Sequence, residues 1–198
     1  MAKKMPKEIW LMRHLPQKPP TSGNPLDWDP NASLAGSAFE IAARIREQLL
    51  AGIKFDTILH SHLIRTRLTV DLVLPADMRL TIPLVCREIG PEGMDTDWDF
   101  VSQMKKGTAA EAYELAPEIL EREGNRIWRL MNNVVCPQLP SNGHALLVSH
   151  SPLVESAIAS ATALWPPRYN FGKGDIGVFT FESARLIDFG HLPAPVEG

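Results

Sequence analysis

Four short apolar runs, separated by longer amphipathic stretches, dominate the hydrophobic pattern of the chain. They are Ile9–Met12, Phe55–Leu59, Ile82–Cys86 and Ala145–Val148, and each ends at polar or charged residues. Continuous apolar runs of this length are typical of parallel strands that are buried on both faces. The pattern therefore predicts four parallel strands in the interior of a sheet.

Helical patterns lie between and after these strands. A second helix is predicted from about Leu63 to Leu74, where Pro75 ends it, and a third from Pro152 to about Leu164 with Ser151 as its cap. The first helix stops near Gly52, and its apolar residues recur close to the 3.6-residue period. Those residues are Leu34, Ala38, Ile41, Ala42, Ile45 and Leu49.

Alternating strands and helices predict an α/β fold, a three-layer sandwich with a mostly parallel central sheet flanked by helices. A chain of 198 residues is long enough for one generous domain, so residues 1–198 are expected to form a single unit. The stretch 90–133 separates the third and fourth strands and is predicted to be a lid-like insertion over the edge of the sheet. Two late runs, Ile176–Phe181 and Leu186–Phe189, predict a hairpin or an antiparallel edge.

Charge and composition narrow the classes of partner. The 20 basic and 23 acidic residues give a formal net charge of -3, and no basic block extends beyond Lys3 and Lys4. Neither nucleic acid nor membrane is therefore expected as a partner. The N-terminus reaches Arg13 after only a few apolar residues, which fits neither a signal peptide nor a membrane span, so a cytoplasmic location is expected. Val178–Phe181 is a candidate edge strand for a homodimer.

Two cysteines, Cys86 and Cys136, lie in apolar or proline-flanked surroundings. Two are too few for a disulfide framework. We expect both to be core thiols.

Chemistry-bearing residues follow each predicted strand. Arg13 and His14 follow the first, His60, Ser61, His62 and Arg65 the second, Arg87 and Glu88 the third, and Ser149, His150 and Ser151 the fourth. Ligands of an open parallel sheet bind beyond the carboxyl ends of its strands. Two arginines, two histidines and a carboxylate are therefore expected to converge there.

These residue types suit phosphoryl transfer, whose transition state spreads negative charge over equatorial oxygens and needs positive donors. Arginine supplies pairs of donors, and histidine is substantially neutral near pH 7 and can act as the nucleophile. A glutamate can protonate the leaving oxygen. A helix that begins near Pro152 would add its free N–H groups to an anion site beside His150.

Three spaced motifs in the sequence resemble the motifs of a known protein family. Residues Leu11–His14 resemble the RHG signature of the histidine phosphatase (phosphoglycerate-mutase-like) superfamily. Residues His60–Thr66 are similar to its SSPLxRA segment, Leu147–Ser151 resemble its VSHG segment, and Leu34–Gly36 more loosely resemble its LTxxG helix start. Motifs in the same order along the chain are a stronger signal together than alone.

The resemblance implies a phosphoglycerate-mutase-like fold and a metal-independent histidine phosphatase without a cofactor. It implies that His14 is the phosphorylated nucleophile and that Arg13, Arg65 and His150 bind the phosphate oxygens. It also implies that Glu88, after the third strand, protonates the leaving group and later deprotonates the attacking water.

Two serines complete the predicted phosphate-binding set. Ser61 is expected to contact the phosphate or to cap the following helix, and Ser151 stands where the VSHG segment has glycine. Leu15 likewise replaces the glycine of the RHG signature, and His62 replaces a proline. If the family glycines have positive φ, Leu15 and Ser151 are strained unless the local path differs. Because no charged residue is lost, these departures indicate altered substrate fit.

Three alternatives stay open beside a phosphatase that hydrolyses a phosphomonoester or phosphohistidine. One is a phosphoglycerate-type mutase, and another is a non-catalytic phosphate-binding module, which Leu15 and Ser151 suggest. The third is a metal-dependent hydrolase built on His60, His62, His144 and His150. The expected substrate is a phosphorylated small molecule or a phosphoprotein, and the length of the stretch 90–133 favours the small molecule.

Overall fold

The structure is a computed structural model that describes residues 5–19, 32–91 and 107–195. Its strands are β1 Lys7–Arg13, β2 Thr57–His60, β3 Leu84–Val85, β4 His144–Ser149, β5 Ile176–Glu182 and β6 Arg185–Leu192. Its helices are α1 Ser37–Gln48, α2 Ile64–Val73, α3 Ala109–Leu115, α4 Pro117–Leu130, α5 Cys136–Gln138 and α6 Leu153–Thr162. A π-helical segment, Met131–Val135, joins α4 to α5, and short 3-10 turns lie at Ala76–Met78 and Arg87–Ile89.

The described strands form one six-stranded sheet in the order β3-β2-β4-β1-β5-β6. The first four run parallel to one another, whereas β5 pairs antiparallel with both β1 and β6. The predicted α/β fold with a mostly parallel sheet is confirmed, and so is the predicted antiparallel hairpin at one edge. The prediction that Val178–Phe181 is an edge strand is wrong, because β6 pairs with β5 on the side away from β1.

Residues of the central strands alternate between two buried apolar layers. On β1, Trp10 and Met12 join the layer that packs against α1 and α2, whereas Ile9 and Leu11 join the layer that packs against α4 and α6. Both faces of the strand are buried because helices cover each of them. The sheet is therefore the middle layer of three, as predicted.

The edge strand β3 differs from its prediction. The run Ile82–Cys86 was expected to be buried, but the strand is only Leu84–Val85, and Ile82, Leu84 and Val85 are 79%, 60% and 62% exposed. The prediction of burial is wrong because an apolar run does not reveal whether helices cover it. Of the two predicted core thiols, Cys136 is buried and Cys86 is half-buried.

The helix after β4 also begins differently. It starts at Leu153 rather than Pro152, and Pro152 occupies the N-cap position, so Ser151 is not the cap. The Ser151 hydroxyl instead donates to the carboxylate of Glu155 at 2.7 Å. The helix ends at Thr162, where Ala163 takes a left-handed conformation with φ of 54°.

Part of the predicted lid is described. Helix α4 packs against α6, and Trp128 stacks on Phe181 of the sheet with ring centroids 5.9 Å apart. Residues 92–106, which include Trp98 and Phe100, lie outside the described residues, so the lid stays a prediction. Within the described ranges, no helix is long and apolar enough to cross a membrane.

Candidate active site

The carboxyl ends of β1 and β4 lie side by side at the centre of the sheet. Arg13 pairs with Ser149 in the parallel ladder, and the backbone N–H of His14 donates to the Ser149 carbonyl at 3.0 Å. The ladder continues into the two residues that follow the strands. As a result the rings of His14 and His150, both buried, have centroids only 5.1 Å apart.

The His14 ring is held in one tautomer. Its Nδ1 lies 2.7 Å from the carbonyl oxygen of Leu15, and a carbonyl only accepts, so Nδ1 carries the proton and Nε2 carries a lone pair. The Leu15 N–H donates to Thr69 Oγ1 at 3.0 Å, and that hydroxyl donates to the Arg65 carbonyl at 2.7 Å. Helix α2 thereby fixes the peptide that orients the imidazole.

His150 is held by the residues that follow β2. Its Nε2 lies 2.7 Å from the hydroxyl of Ser61, which also lies 3.0 Å from Thr66 Oγ1. The Leu63 N–H donates to Ser61 Oγ at 3.3 Å. Ser61 therefore links the start of α2 to His150, and its predicted contact with phosphate stays a prediction.

Three basic side chains lie beside the histidine pair. Arg13 follows β1, and its Nη1 donates to the carbonyl of Phe171. Arg65 lies in the first turn of α2 and is 4% exposed. Lys173 lies in the loop before β5, and its Nζ is 3.0 Å from Nε2 of His14.

Burial and the mutual repulsion of these groups lower their proton affinities. Burial, followed by the charges of Lys173, His150 and Arg65, holds the pKa of His14 well below its usual range. Burial, followed by Arg65 and Lys173, has the same effect on the pKa of His150. Burial, followed by Arg13 and Arg65, lowers the pKa of Lys173 to about 6. Both imidazoles are therefore neutral near pH 7, inside a positive pocket.

A buried glutamate, Glu155 of α6, supports the pocket wall. Its Oε1 accepts from the Ser151 hydroxyl at 2.7 Å and from the Phe171 N–H at 3.1 Å. Burial raises the pKa of Glu155, whereas the charge of Arg13 acts in the opposite direction. The hydroxyl of Ser151 is thus committed to Glu155, and its predicted contact with phosphate stays a prediction.

The two positions that replace family glycines are not strained. The described non-glycine residues with positive φ are Asn142, Ala163 and Ser183, so neither Leu15 nor Ser151 is left-handed. The Leu15 side chain is fully buried in the apolar layer beside α1 and α2.

Glu88 has no described contact with the buried histidines. It is exposed on the 3-10 turn Arg87–Ile89, and the Cys86 thiol donates to it at 3.2 Å. Hydrogen bonds from its own backbone and from Cys86, together with the charge of Arg126, lower the pKa of Glu88. Its described contacts do not include His14 or His150, so its role as proton donor stays a prediction.

The four histidines of the metal alternative are not assembled. His144 begins β4, the strand that His150 follows, and it faces Glu8 at 3.5 Å and Phe55 instead. His62 is exposed, and His60 Nδ1 lies 2.8 Å from the Ser61 carbonyl. Among residues 5–19, 32–91 and 107–195, no group of three or more potential metal ligands is arranged to hold an ion.

Sequence reasoning located Arg13, His14, Arg65 and His150, which the structure brings together, but missed Lys173 and Glu155. Lys173 lies 159 residues after His14 and belongs to no motif. Its only local signal is a lysine between two glycines, Gly172 and Gly174, just before a buried strand. In the sequence Glu155 cannot be distinguished from an exposed helix residue, because its burial depends on the loop that packs against it.

Comparison with known proteins rests on structure. No family model and no curated protein matches the sequence. Among solved structures, a phosphoglycerate mutase from Bacillus anthracis str. Sterne has a TM-score of 0.65 at 15% identity, covering 93% of this chain and 92% of that one. A phosphoserine phosphatase from Entamoeba histolytica, in complex with 3-phosphoglyceric acid, has a TM-score of 0.63 at 16% identity, covering 92% and 96%.

The protein histidine phosphatase SixA, complexed with tungstate, has a TM-score of 0.57 at 17% identity and covers 94% of this chain and 97% of its own. These neighbours are phosphatases and mutases of the histidine phosphatase superfamily. At such low identity the likeness establishes the fold. The chain has the phosphoglycerate-mutase-like fold that these superfamily members share, as the sequence resemblance implied.

Proposed function

We propose that this protein is a phosphatase that transfers a phosphoryl group from a phosphomonoester or phosphohistidine to His14 and then to water. The orientation of His14 carries the proposal. Its Nδ1 donates to the Leu15 carbonyl, so the lone pair lies on Nε2, which faces a buried cationic pocket. A neutral imidazole with a fixed tautomer is the form that can attack phosphorus.

The reaction has two balanced steps. In the first, a bond forms between His14 Nε2 and phosphorus, the bond from phosphorus to the leaving oxygen or nitrogen breaks, and the leaving atom receives a proton. In the second, water attacks phosphorus and gives its proton to the carboxylate of Glu88, the proposed proton donor of the first step, while the phosphorus–nitrogen bond breaks and inorganic phosphate is released. Neither step needs an oxidant or a further co-reactant.

The charges of the pocket favour an oxyanion. The like charges of Arg13 and Arg65 repel one another in this pocket, and a phosphoryl dianion between them converts that repulsion into attraction. The half-buried Arg13, the buried Arg65 and the amine of Lys173 provide donors for the equatorial oxygens of the transition state. The SixA neighbour in complex with tungstate, a tetrahedral oxyanion, supports this use of the fold.

Glu88 is the proposed proton donor. The turn that carries it lies beside the histidines, because the Ser149 hydroxyl donates to the carbonyl of Ile89 at 2.6 Å and His150 follows directly. A phosphorylated small molecule is the proposed substrate, and a phosphoprotein is its alternative.

The decisive experiment is phosphate release from para-nitrophenyl phosphate in the presence of EDTA. We expect activity in the wild type and a loss of about 10³-fold or more in His14→Ala, because no other group replaces the nucleophile. His144→Ala is the matched control, since His144 lies at the other end of β4, and it should keep wild-type activity.

Retention of activity in His14→Ala contradicts the proposal. Loss of wild-type activity on addition of EDTA favours the metal-dependent alternative. Transfer of phosphate between two hydroxyls without net release favours a mutase, which shares the first step and passes the phosphoryl group to a second alcohol.

A further inference from the structure

Lys173 lies directly beside the proposed nucleophile, although no motif assigns it a role. Its Nζ is 3.0 Å from Nε2 of His14, the nitrogen that must bond to phosphorus. Three hydrogen bonds hold the backbone around Lys173. The Gly174 N–H donates to the Arg13 carbonyl at 3.2 Å, and the Arg13 N–H donates to the Asp175 carbonyl at 3.0 Å. The Gly172 N–H donates to the Asp175 carboxylate at 2.8 Å. The lysine is therefore placed by the strand that carries the nucleophile.

The surroundings of this amine are mostly positive. Burial and the charges of the two arginines lower the pKa of Lys173 to about 6, and Glu155 acts in the opposite direction. Near neutral pH without an anion, the amine is therefore largely uncharged. The titratable and charged groups that face it are Arg13 after β1, His14, Arg65 of α2, His150 after β4 and Glu155 of α6.

The geometry of in-line transfer assigns the amine a partner. Reacting atoms approach to about 3–3.5 Å, and the leaving atom lies on the face of phosphorus opposite the nucleophile. A group that lies 3.0 Å from His14 Nε2 is on the attacking side. It can reach the equatorial oxygens of the phosphoryl group, whereas the leaving atom lies beyond phosphorus. The amine is thus placed to bind the transferring group and not to protonate the leaving atom.

Building on the function proposed above, we propose that Lys173 is a catalytic residue that binds an equatorial phosphoryl oxygen and takes up a proton as the oxyanion enters. A dianion between Arg13, Arg65 and Lys173 offsets the repulsion that disfavours the ammonium form. When Nζ turns from Nε2 to a phosphoryl oxygen, the Nε2 lone pair becomes available for attack. Binding of substrate would thereby release the nucleophile.

The test is calorimetric titration with sulfate near neutral pH, in two buffers that differ in their enthalpy of protonation. Sulfate stays a dianion in this range, so any proton that is taken up comes to the protein. We expect the wild type to take up about one proton per sulfate, since the pKa of Lys173 rises from about 6 to above the working pH.

Three variants test the role of the Lys173 amine. Lys173→Met should bind sulfate roughly 10- to 100-fold more weakly and lose most of the proton uptake, because a charge-assisted donor is gone. Lys173→Arg, which is always charged, should bind without that uptake. Lys54→Met, an exposed lysine before β2, is the matched control and should behave as the wild type.

Wild-type affinity and proton uptake in Lys173→Met overturn the proposal, and so does a wild type that does not bind sulfate. A melting curve for each variant checks folding. If Lys173→Met does not fold, the proton uptake of Lys173→Arg decides, since unchanged uptake there also overturns the proposal. The titration needs no turnover, so a protein that binds sulfate with proton uptake but hydrolyses nothing contradicts only the proposed function.

Discussion

The centre and the edge of the sheet present their functional groups in different ways. At the centre, His14 and His150 follow β1 and β4, and each strand has a hydrogen-bonded neighbour on both sides. At the edge, Glu88 follows β3, a strand of two residues with one neighbour, and the side chain is exposed. The central groups are fixed by the ladder and the packing on both faces, whereas the edge group is held by one short turn.

Under the proposed function, this difference separates two tasks of the site. Nucleophile and phosphate ligands must be placed to within a fraction of an ångström, which the sheet centre provides. A proton donor for varied leaving groups can be carried on a less constrained turn. The comparison predicts that central substitutions abolish chemistry for every substrate, whereas edge substitutions act according to the leaving group.

The largest effect is expected at Arg65. Arg65→Met should lower kcat/KM for aryl and alkyl phosphates alike by about 10²- to 10³-fold, because a buried donor to the phosphoryl oxygens is lost. Arg67→Met is the control on the same helix, since Arg67 is exposed and faces Asp71 at 3.9 Å. Equal activities of the two variants would show that Arg65 does not bind the phosphoryl group.

A smaller and selective effect is expected at Glu88. Glu88→Gln should slow hydrolysis of an alkyl phosphate by roughly 10- to 100-fold, because an alkoxide needs a proton to leave, and should barely affect para-nitrophenyl phosphate. Glu114→Gln, an exposed glutamate of α3, is the control. The same small change with both substrates would assign the proton donor elsewhere.

A further effect is on stability, and its pH dependence has a definite sign. The folded pKa of Lys173 is about 6, against about 10.4 in an unfolded chain. Between these values the unfolded chain binds more protons, so the free energy of unfolding of the wild type rises with pH. Lys173→Met has no amine that must lose a proton on folding, so its free energy of unfolding lacks this pH-dependent decrease. Its Tm should exceed that of the wild type by roughly ten degrees or more near pH 6, with the gap closing towards pH 10.

Thermal melts of both proteins across this range, without oxyanions in the buffer, measure the gap. Lys54→Met should show no such trend, because Lys54 is exposed. A gap that stays constant with pH would show that Lys173 keeps its proton in the folded protein.

The central strands were predicted well from the sequence, because a strand that is buried on both faces has apolar residues at successive positions. The residues of β1 and β4 are apolar on both faces, and the polar residues that follow them mark the site. The same reasoning misjudged β3, since Ile82, Leu84 and Val85 are apolar but exposed. An apolar run reports side-chain chemistry alone, while burial also requires a helix to pack over it.

The site was predicted as far as it depends on strand ends and motifs. Lys173 and Glu155 were not predicted, because their positions in the site depend on tertiary contacts. The loop before β5 is joined to β1 by hydrogen bonds with the backbone of Arg13. Ser151 was expected to cap a helix, but the helix begins one residue later than predicted, with Pro152 at its N-cap position, and the Ser151 hydroxyl donates to Glu155. Neither contact has a periodicity that a sequence shows.

Leu15 joins His14, the proposed nucleophile, to the hydrophobic interior. Its carbonyl holds His14 Nδ1, and its side chain lies under Gly174, where Leu15 Cδ2 is 3.3 Å from the position that a Cβ would occupy. One apolar residue therefore contacts both the imidazole of His14 and the loop that carries Lys173. In an evolving lineage, substitutions at this position are constrained at the same time by the packing of the interior and by the orientation of His14.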